Sequence, residues 1–195
     1  TSAFGLLPSA EYINRVSASP ATFVDTAIPS NVTTKMVQKF GSAISSYDEY
    51  KDFLFGEEGR TNPATTQMNL PIVLSENLFA ESESLHNDID AWIPPETLRV
   101  IEVAGWGLDT LASFEYYPLP TCSGLDCTFT MDQRPRFTKD GDGTVVEPSA
   151  HFMSADGNAE KYWVNILVHN KQLLHARRNR QHKDILEVDE LNNLI

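Results

Sequence analysis

The chain of 195 residues is acidic, with 15 Lys and Arg against 27 Asp and Glu and a formal net charge of -12. A charge of this sign repels phosphate backbones and anionic membrane surfaces, which argues against nucleic acid as the main partner. Hydrophobic residues make up 41% of the chain and charged residues 22%, as in a packed globular protein and unlike a disordered tail or a fibre. No apolar run approaches the roughly 20 residues of a membrane-spanning helix, so no transmembrane segment is predicted.

The first 30 residues carry β-favouring runs at 12–16 and 22–24, with prolines around them. Such runs between chain-breaking residues predict an extended, loop-rich segment. Apolar residues then recur at helical spacing over 32–40 and 47–55, and the second run begins after two serines and ends at Gly56. These runs predict two short helices, because the spacing places their apolar residues on one face.

A polar loop is predicted over 57–67, and a long helix is predicted after it. Five apolar residues fall at intervals of three, four and seven, which defines one stripe along this helix. The helix is expected to end at Pro94-Pro95, because proline cannot continue a helix. The stripe is interpreted as core packing or, alternatively, as a cover over a ligand site. Its members are Leu74, Leu78, Leu85, Ile89 and Trp92.

The second half of the chain alternates strands with turns and helices. Buried strands are predicted at 98–104, before a sharp Gly-Trp-Gly turn at 105–107, and at 162–168. The helix-to-strand order predicts an α/β fold. The other predicted elements are short strands at 114–117 and 127–131, a polar stretch at 132–143, a helix or turn after Pro148, and a helix at 187–195.

Two cysteines, Cys122 and Cys127, lie close enough in sequence to clip a hairpin or loop. A disulfide and two free thiols are both compatible with this spacing. A disulfide would favour a secreted or periplasmic protein, because such bonds persist in oxidising compartments. The sequence leaves the compartment open otherwise.

The most informative run is Gly-Asp-Gly-Thr-Val at 141–145. Two glycines allow a tight turn and leave the carboxylate of Asp142 exposed between them at a loop tip. Later in the chain, His182 lies in a second polar loop that leads into an apolar element. An acid followed by a histidine is the order found in α/β-hydrolases, where the nucleophilic serine comes earlier.

The run at 141–145 precedes Ser149-Ala150, a predicted strand, and then His182 with Ile-Leu three and four residues further on. This arrangement resembles the C-terminal part of the lecithin:cholesterol acyltransferase-like lipases and acyltransferases. The likeness spans most of the chain, and its most specific parts are 141–145 and His182. Three further segments are similar to that family: Leu6-Leu7-Pro8-Ser9 with Tyr12, the helix-forming 47–54, and Ala104-Gly105-Trp106-Gly107 with Thr110.

The resemblance implies an α/β fold with a helical cap segment at 1–95 and the C-terminal part of an α/β-hydrolase core at 96–195. The family uses the Asp of this run as the acid of a Ser-His-Asp triad and the late His as its base, which carries over onto Asp142 and His182. The implied function is hydrolysis or transfer of acyl groups on lipid or other acyl esters. The triad chemistry calls for no cofactor and no metal ion.

The family carries its nucleophile in a G-x-S-x-G turn, and this pattern does not occur in the chain. The resemblance therefore implies that the serine belongs to an N-terminal half of the same protein or to a second chain, and that this chain alone is inactive. Val146-Glu147-Pro148 departs from the family, which more often has proline and apolar residues there. The rival interpretation is a non-catalytic binding or interaction domain that retains the hydrolase framework.

Other residues compete for the two catalytic roles. Asp109 is the second candidate acid, because the acid of a hydrolase can follow either late strand. His175 is the second candidate base. His86 is expected at the surface of the long helix, and His151 and His169 are expected to cap or pack.

Two polar clusters suggest non-catalytic alternatives. Oxygen ligands at Asp140, Asp142, 156–158 and Glu160 suit a calcium ion, although neither run has the full EF-hand spacing. The basic run at 177–183 is interpreted as a solvated face that offsets nearby acids, or as a contact for an anionic head group.

Overall fold

The computed structural model describes residues 7–16, 19–24, 31–56, 76–151, 159–172, 180–188 and 191. The helices described are α1 (Ala10–Val16), α2 (Asn31–Phe40), α3 (Tyr47–Phe55), α4 (Glu76–Asp90), α5 (Glu147–Ala150) and α6 (Ile166–Gln172), followed by a 3-10 helix (His182–Glu187). The strands are β1 (Ala21–Phe23), β2 (Val100–Trp106), β3 (Thr110–Ser123), β4 (Asp126–Thr138) and β5 (Ala159–Asn165).

The chain divides into two compact units. The first unit consists of Thr1–Ile89 with Ser113–Pro135, and the second of Asp90–Ala112 with Arg136–Ile195. The sequence predicts a single boundary at residue 95. In the structure, the first unit also includes Ser113–Pro135, a segment from the second half of the chain. Sequence order cannot reveal such an insertion, because only tertiary contacts assign it to a unit.

The first unit is built around one apolar cluster. The ring of Phe23 stacks on Phe40 with centroids 5.9 Å apart and meets Phe53 edge-on at 5.7 Å. Stacked and edge-to-face pairs suit the charge distribution of aromatic rings, so they add to the burial of apolar area. The buried members of this cluster are Ile13, Ala21, Phe23, Met36, Phe40, Ile44, Tyr50 and Phe53.

Helix α3 has its predicted bounds because local signals fix both ends. The hydroxyl of Ser46 accepts a hydrogen bond from Glu49 N, and the Glu49 carboxylate accepts one from Ser46 N, which completes a capping box. Gly56 ends the helix in the left-handed conformation with φ 76°. Helix α2 also agrees with its prediction, starting one residue earlier.

The run at 12–16 is helical, so the prediction of extended structure there is wrong. Ser9 Oγ accepts a hydrogen bond from Tyr12 N at 3.1 Å and caps the first turn of α1. Arg15 pairs with Glu11 one turn earlier on the helix. These contacts, together with the burial of apolar side chains, outweigh a β propensity that is only a weak prior. The second predicted run agrees with strand β1.

Helix α4 exists, but it ends at Asp90 and not at Pro94-Pro95, and its buried face is not the predicted stripe. Phe79 and Ser82 are buried, and the ring of Phe79 packs against Tyr47 and Phe55. The tertiary partners therefore select the buried face, rather than the number of apolar residues on it. The exposed members of the stripe are Leu85, Ile89 and Trp92, while Leu74 and the predicted loop at 57–67 lie outside the described residues.

Strands β1, β3 and β4 form a three-stranded sheet with β3 in the middle, and β1 runs parallel to β3. Only two residues separate β3 from β4, a connection that joins antiparallel strands. A disulfide links Cys122 and Cys127 beside this turn. The predicted strands at 114–117 and 127–131 are too short. In the structure, main-chain pairing continues into flanking segments where apolar and polar residues do not alternate.

The second unit contains two parallel strands, β2 and β5, with Val100 opposite Ala159 and Trp106 opposite Asn165. Helices together with parallel strands agree with the predicted α/β class. Strand β2 continues through residues predicted as a turn, and the chain turns at Gly107, which has φ 102°.

The predicted strand at 162–168 is wrong in its last three residues, which belong to α6. The side chain of Asn165 explains the change, since its Oδ1 accepts a hydrogen bond from Val168 N at 2.9 Å and caps the new helix. Helix α5 agrees with the helix or turn predicted near Pro148. Of the helix predicted at 187–195, residues 189, 190 and 192–195 lie outside the described part, and Glu187 closes the 3-10 helix. In the described ranges, no helix has the length and apolar character needed to cross a bilayer.

Candidate active site

The acid loop, residues 141–145, is shaped by its two glycines. Gly143 has φ 93°, a left-handed value that L side chains rarely adopt. At Gly141, an added Cβ atom would lie 2.4 Å from Thr110 Oγ1, so a larger residue does not fit without rearrangement. The loop can therefore turn tightly on both sides of Asp142.

The carboxylate of Asp142 is buried, with 6% of its side chain exposed, so the prediction that it is exposed at a loop tip is wrong. Both of its oxygens accept hydrogen bonds. Oδ1 accepts from Thr144 N at 3.0 Å and from Val145 N at 2.9 Å. Oδ2 lies 2.6 Å from Nδ1 of His182. The two main-chain donors fix the plane of the carboxylate, which directs its second oxygen at the imidazole.

His182 is the first residue of the 3-10 helix, and its backbone N–H donates to Asp142 O at 3.2 Å. Since an ionised carboxylate only accepts hydrogen bonds, Nδ1 of a neutral imidazole carries the hydrogen and Nε2 is an acceptor. The imidazole is 49% exposed, and no described residue forms a hydrogen bond with its Nε2. Asp142 and His182 are called the dyad below.

Gly105 lets the dyad pack against the C-terminal end of β2. A Cβ atom at this position would lie 2.8 Å from Asp142 Cβ, 2.6 Å from Ile166 Cδ1 and 2.9 Å from Ile185 Cδ1. The acid loop, the first residue of α6 and the 3-10 helix of His182 therefore all converge on one glycine. This convergence is at the carboxyl ends of the parallel strands, where open α/β sheets generally bind their ligands.

The competing acid and base do not form a second pair in the described residues. The side chain of Asp109 is 70% exposed, and its carboxylate lies 2.8 Å from Lys139 Nζ. The competing base, His175, lies outside the described residues. The geometry therefore favours Asp142 over Asp109 as the partner of His182.

The remaining histidines have structural contacts. His151 Nδ1 lies 2.8 Å from a carboxylate oxygen of Glu147, and its ring meets Trp163 edge-on at 4.6 Å. This agrees with the expectation that His151 packs. His86 is half-buried on α4, so the prediction that it lies on the surface is wrong in degree.

The segment before His182 is held by Asn170, which the sequence reasoning missed. Oδ1 of Asn170 accepts from Arg180 N and Nδ2 donates to Arg180 O, both at 3.0 Å. Arg180 is buried and its guanidinium lies 3.0 Å from His169 Nε2, so the interpretation of 177–183 as a solvated face is wrong at Arg180. No local signal marks this contact, because ten residues separate the two partners.

The calcium alternative gains no support from the described residues. Glu160 forms two hydrogen bonds with Arg99, at 2.8 and 3.1 Å, which lower the pKa of Glu160. Asp142 is engaged with the imidazole, and 156–158 lie outside the described part. In that part, no group of three or more His, Cys, Asp and Glu side chains could hold a metal ion.

In three comparisons with known proteins, no family model, curated protein or solved structure matches the chain. The resemblance to the acyltransferase-like family therefore stays a prediction that rests on the residues at 141–145 and His182. The functional argument below depends on the geometry of the dyad rather than on any relative.

Proposed function

We propose that this chain supplies the acid and the base of a serine acyl hydrolase or acyltransferase, similar to the lecithin:cholesterol acyltransferase-like enzymes. The observation that carries the proposal is the 2.6 Å contact between Asp142 Oδ2 and His182 Nδ1, with Nε2 available to a reactant. An acid and an imidazole whose second ring nitrogen is accessible are two of the three parts of a Ser-His-Asp triad.

In the proposed reaction, Nε2 of His182 removes the proton from a serine hydroxyl while the serine oxygen bonds to the acyl carbon of an ester. The electron pair of the carbonyl bond moves to its oxygen, which forms a tetrahedral intermediate. The carbonyl double bond then re-forms from the electron pair on the oxygen, the ester bond breaks, and the imidazolium gives its proton to the leaving alcohol. Asp142 holds the required tautomer and stabilises the cationic ring throughout. Water or an acceptor alcohol repeats these steps on the acyl-enzyme.

The serine is proposed to come from an N-terminal half of the same protein or from a second chain. The small sheet of the second unit supports this idea, because only β2 and β5 pair in it among the described strands. Parallel sheets generally have more strands and have both faces covered by other elements. In this proposal the second unit is part of an α/β-hydrolase core, and residues 1–95 contain its helical cap.

The proposal is tested by substituting the dyad in the complete protein that contains both the serine and this chain, where activity should be lost. Asp142→Asn and His182→Ala should each lower the turnover of a p-nitrophenyl ester by roughly 10⁴-fold, as in other triads, while circular dichroism stays unchanged. Asp140→Asn is the matched control, because it changes an exposed carboxylate in the neighbouring turn and should keep near wild-type turnover. Near wild-type activity of either dyad variant contradicts the proposal.

A fluorophosphonate probe separates this function from that of a non-catalytic binding domain. The complete protein should be labelled on one serine, and the label should disappear in His182→Ala, because the hydroxyl then lacks its base. The 195-residue chain alone should stay unlabelled. Labelling of this chain alone would show that it contains a nucleophile of its own.

A further inference from the structure

We propose that Thr110 is a positioning residue for the dyad, which it holds through the main chain of the acid loop. The catalytic importance of this role rests on the proposed function, whereas the geometric role can be tested without it. Thr110 is the first residue of β3 and is fully buried. A buried hydroxyl needs partners, and here both of them are main-chain groups.

The hydroxyl of Thr110 links two turns. Its Oγ1 accepts a hydrogen bond from Gly143 N at 2.8 Å and donates one to Leu108 O at 3.1 Å. Since the hydroxyl hydrogen is used toward Leu108, a lone pair remains for the Gly143 N–H, and the direction of that bond is fixed. Thr110 therefore anchors the residue that directly follows Asp142.

The residue that precedes Asp142 is anchored on the same side chain. An added Cβ atom at Gly141 would lie 2.4 to 2.7 Å from Oγ1, Cβ and Cγ2 of Thr110, which shows how closely the backbone approaches this residue. The carbonyl of Gly141 also accepts from Leu108 N at 3.0 Å. Both neighbours of Asp142 are thus held by the segment 108–110.

This anchoring matters for the carboxylate because the main-chain donors to Oδ1 follow Gly143 directly. Gly143 has a left-handed φ and lacks a side chain, so nothing within the residue itself restricts its rotation. The Thr110 hydroxyl supplies that restriction from outside the loop. If it is lost, the N–H groups of Thr144 and Val145 can turn, and the carboxylate can turn with them away from His182.

The experiment uses the full chain with 15N-labelled histidine and follows the Nδ1-bound proton of His182, assigned by its absence in His182→Ala. Thr110→Val keeps the shape of the side chain but removes the hydroxyl. In this variant, the Nδ1 proton of His182 should exchange with solvent about tenfold faster, because the loss of one buried hydrogen-bond acceptor changes an equilibrium by roughly that factor. Thr110→Ser keeps the hydroxyl and should restore slow exchange. Thr121→Val, the same change at an exposed site on the same strand, should leave the signal unaltered.

Thr110→Ala is measured in parallel. It also lacks the hydroxyl, so it replaces the valine variant if that variant does not fold. An unaltered His182 signal in a folded hydroxyl-free variant overturns the proposal, even if its melting temperature falls. Failure of both variants to fold would make Thr110 a structural residue and also overturn it. Because the measurement needs no substrate, its outcome is independent of whether the dyad takes part in acyl transfer.

Discussion

In the first unit, the buried residues of the core are apolar and four of them are aromatic, namely Phe23, Phe40, Tyr50 and Phe53. In the second unit, the polar residues Thr110, Asp142 and Arg180 are buried beside apolar residues such as Ala104 and Ile166. Apolar burial is non-directional, whereas a buried polar group is stable only when its hydrogen bonds have the right geometry. The core of the first unit therefore contributes stability through apolar burial, whereas the second unit also contains directional hydrogen bonds that orient Asp142 toward His182.

The largest expected effect is on the stability of the first unit. The ring of Phe53 meets Phe23 at 5.7 Å, Phe40 at 6.0 Å and Tyr116 at 5.2 Å. Phe53→Ala should lower the free energy of unfolding by about 3–5 kcal/mol, because it removes buried area and leaves a cavity. Denaturant unfolding followed by tyrosine near-UV circular dichroism measures this loss.

The control for this change is Phe137→Ala, which removes a phenylalanine ring that is 60% exposed and lies in the second unit. It should change the free energy of unfolding by no more than about 0.5 kcal/mol. In folded Phe53→Ala protein, the Nδ1 proton signal of His182 should remain as in the wild type. A large shift of that signal would contradict the division of roles between the two units.

A smaller effect is expected from Gly105→Ala in the second unit. The new Cβ atom would lie within 3 Å of Asp142, Ile166 and Ile185, so overpacking should lower the free energy of unfolding by about 1–3 kcal/mol. Unlike Phe53→Ala, this variant should weaken the dyad, which solvent exchange of the His182 Nδ1 proton measures. Retention of wild-type exchange would contradict the close packing described for the acid loop.

Gly41→Ala is the control for this glycine. No atom lies within 4 Å of its added Cβ, but its φ is 68°, so the substitution introduces backbone strain without a clash. It should lower the free energy of unfolding by about 1 kcal/mol and leave the His182 signal unchanged.

The smallest effect on stability is expected from the titration of Tyr50, which changes the free energy of unfolding at alkaline pH. Burial, followed by the proximity of Tyr47 and Tyr116, raises the pKa of Tyr50. Its stabilising effect is fully present below the unfolded pKa of about 10 and is lost as the pH rises through the higher folded pKa. Denaturant midpoints between about pH 9 and pH 11 should fall less steeply in Tyr50→Phe than in the wild type. An identical slope would contradict the raised pKa.

Local signals are sufficient to predict an element when no opposing propensity competes with them. Helix α3 is the clearest case, because a capping serine and a terminal glycine mark its ends without help from the rest of the chain. Helix α1 has similar signals in Ser9 and in the pair of Glu11 with Arg15, but the β-favouring residues at 12–16 predict extended structure instead.

Where a distant partner determines the outcome, sequence reasoning failed. The buried face of α4 follows Phe79, because the rings of Tyr47 and Phe55 lie next to it, and no periodicity of the helix contains that information. The long arms of the β3–β4 hairpin depend on main-chain pairing across polar residues, which an apolar alternation cannot detect.

The candidate site shows the same limit. Asp142 and His182 were predicted together because the residue types and their order resemble a triad, and their side chains lie 2.6 Å apart. Thr110 enters the prediction only through the resemblance, and no signal in the sequence marks Asn170. Their side chains bond to main-chain groups distant in sequence, and residue identity alone does not reveal such contacts.

The two donors to Asp142 Oδ1 belong to the main chain, so any residue other than proline can provide them. The exposed side chain of Thr144 is therefore dispensable for holding the acid. Substitutions at this position can vary in size and polarity while the dyad keeps its geometry. The rim of the acid loop can therefore change at position 144 without loss of the contact between Asp142 and His182.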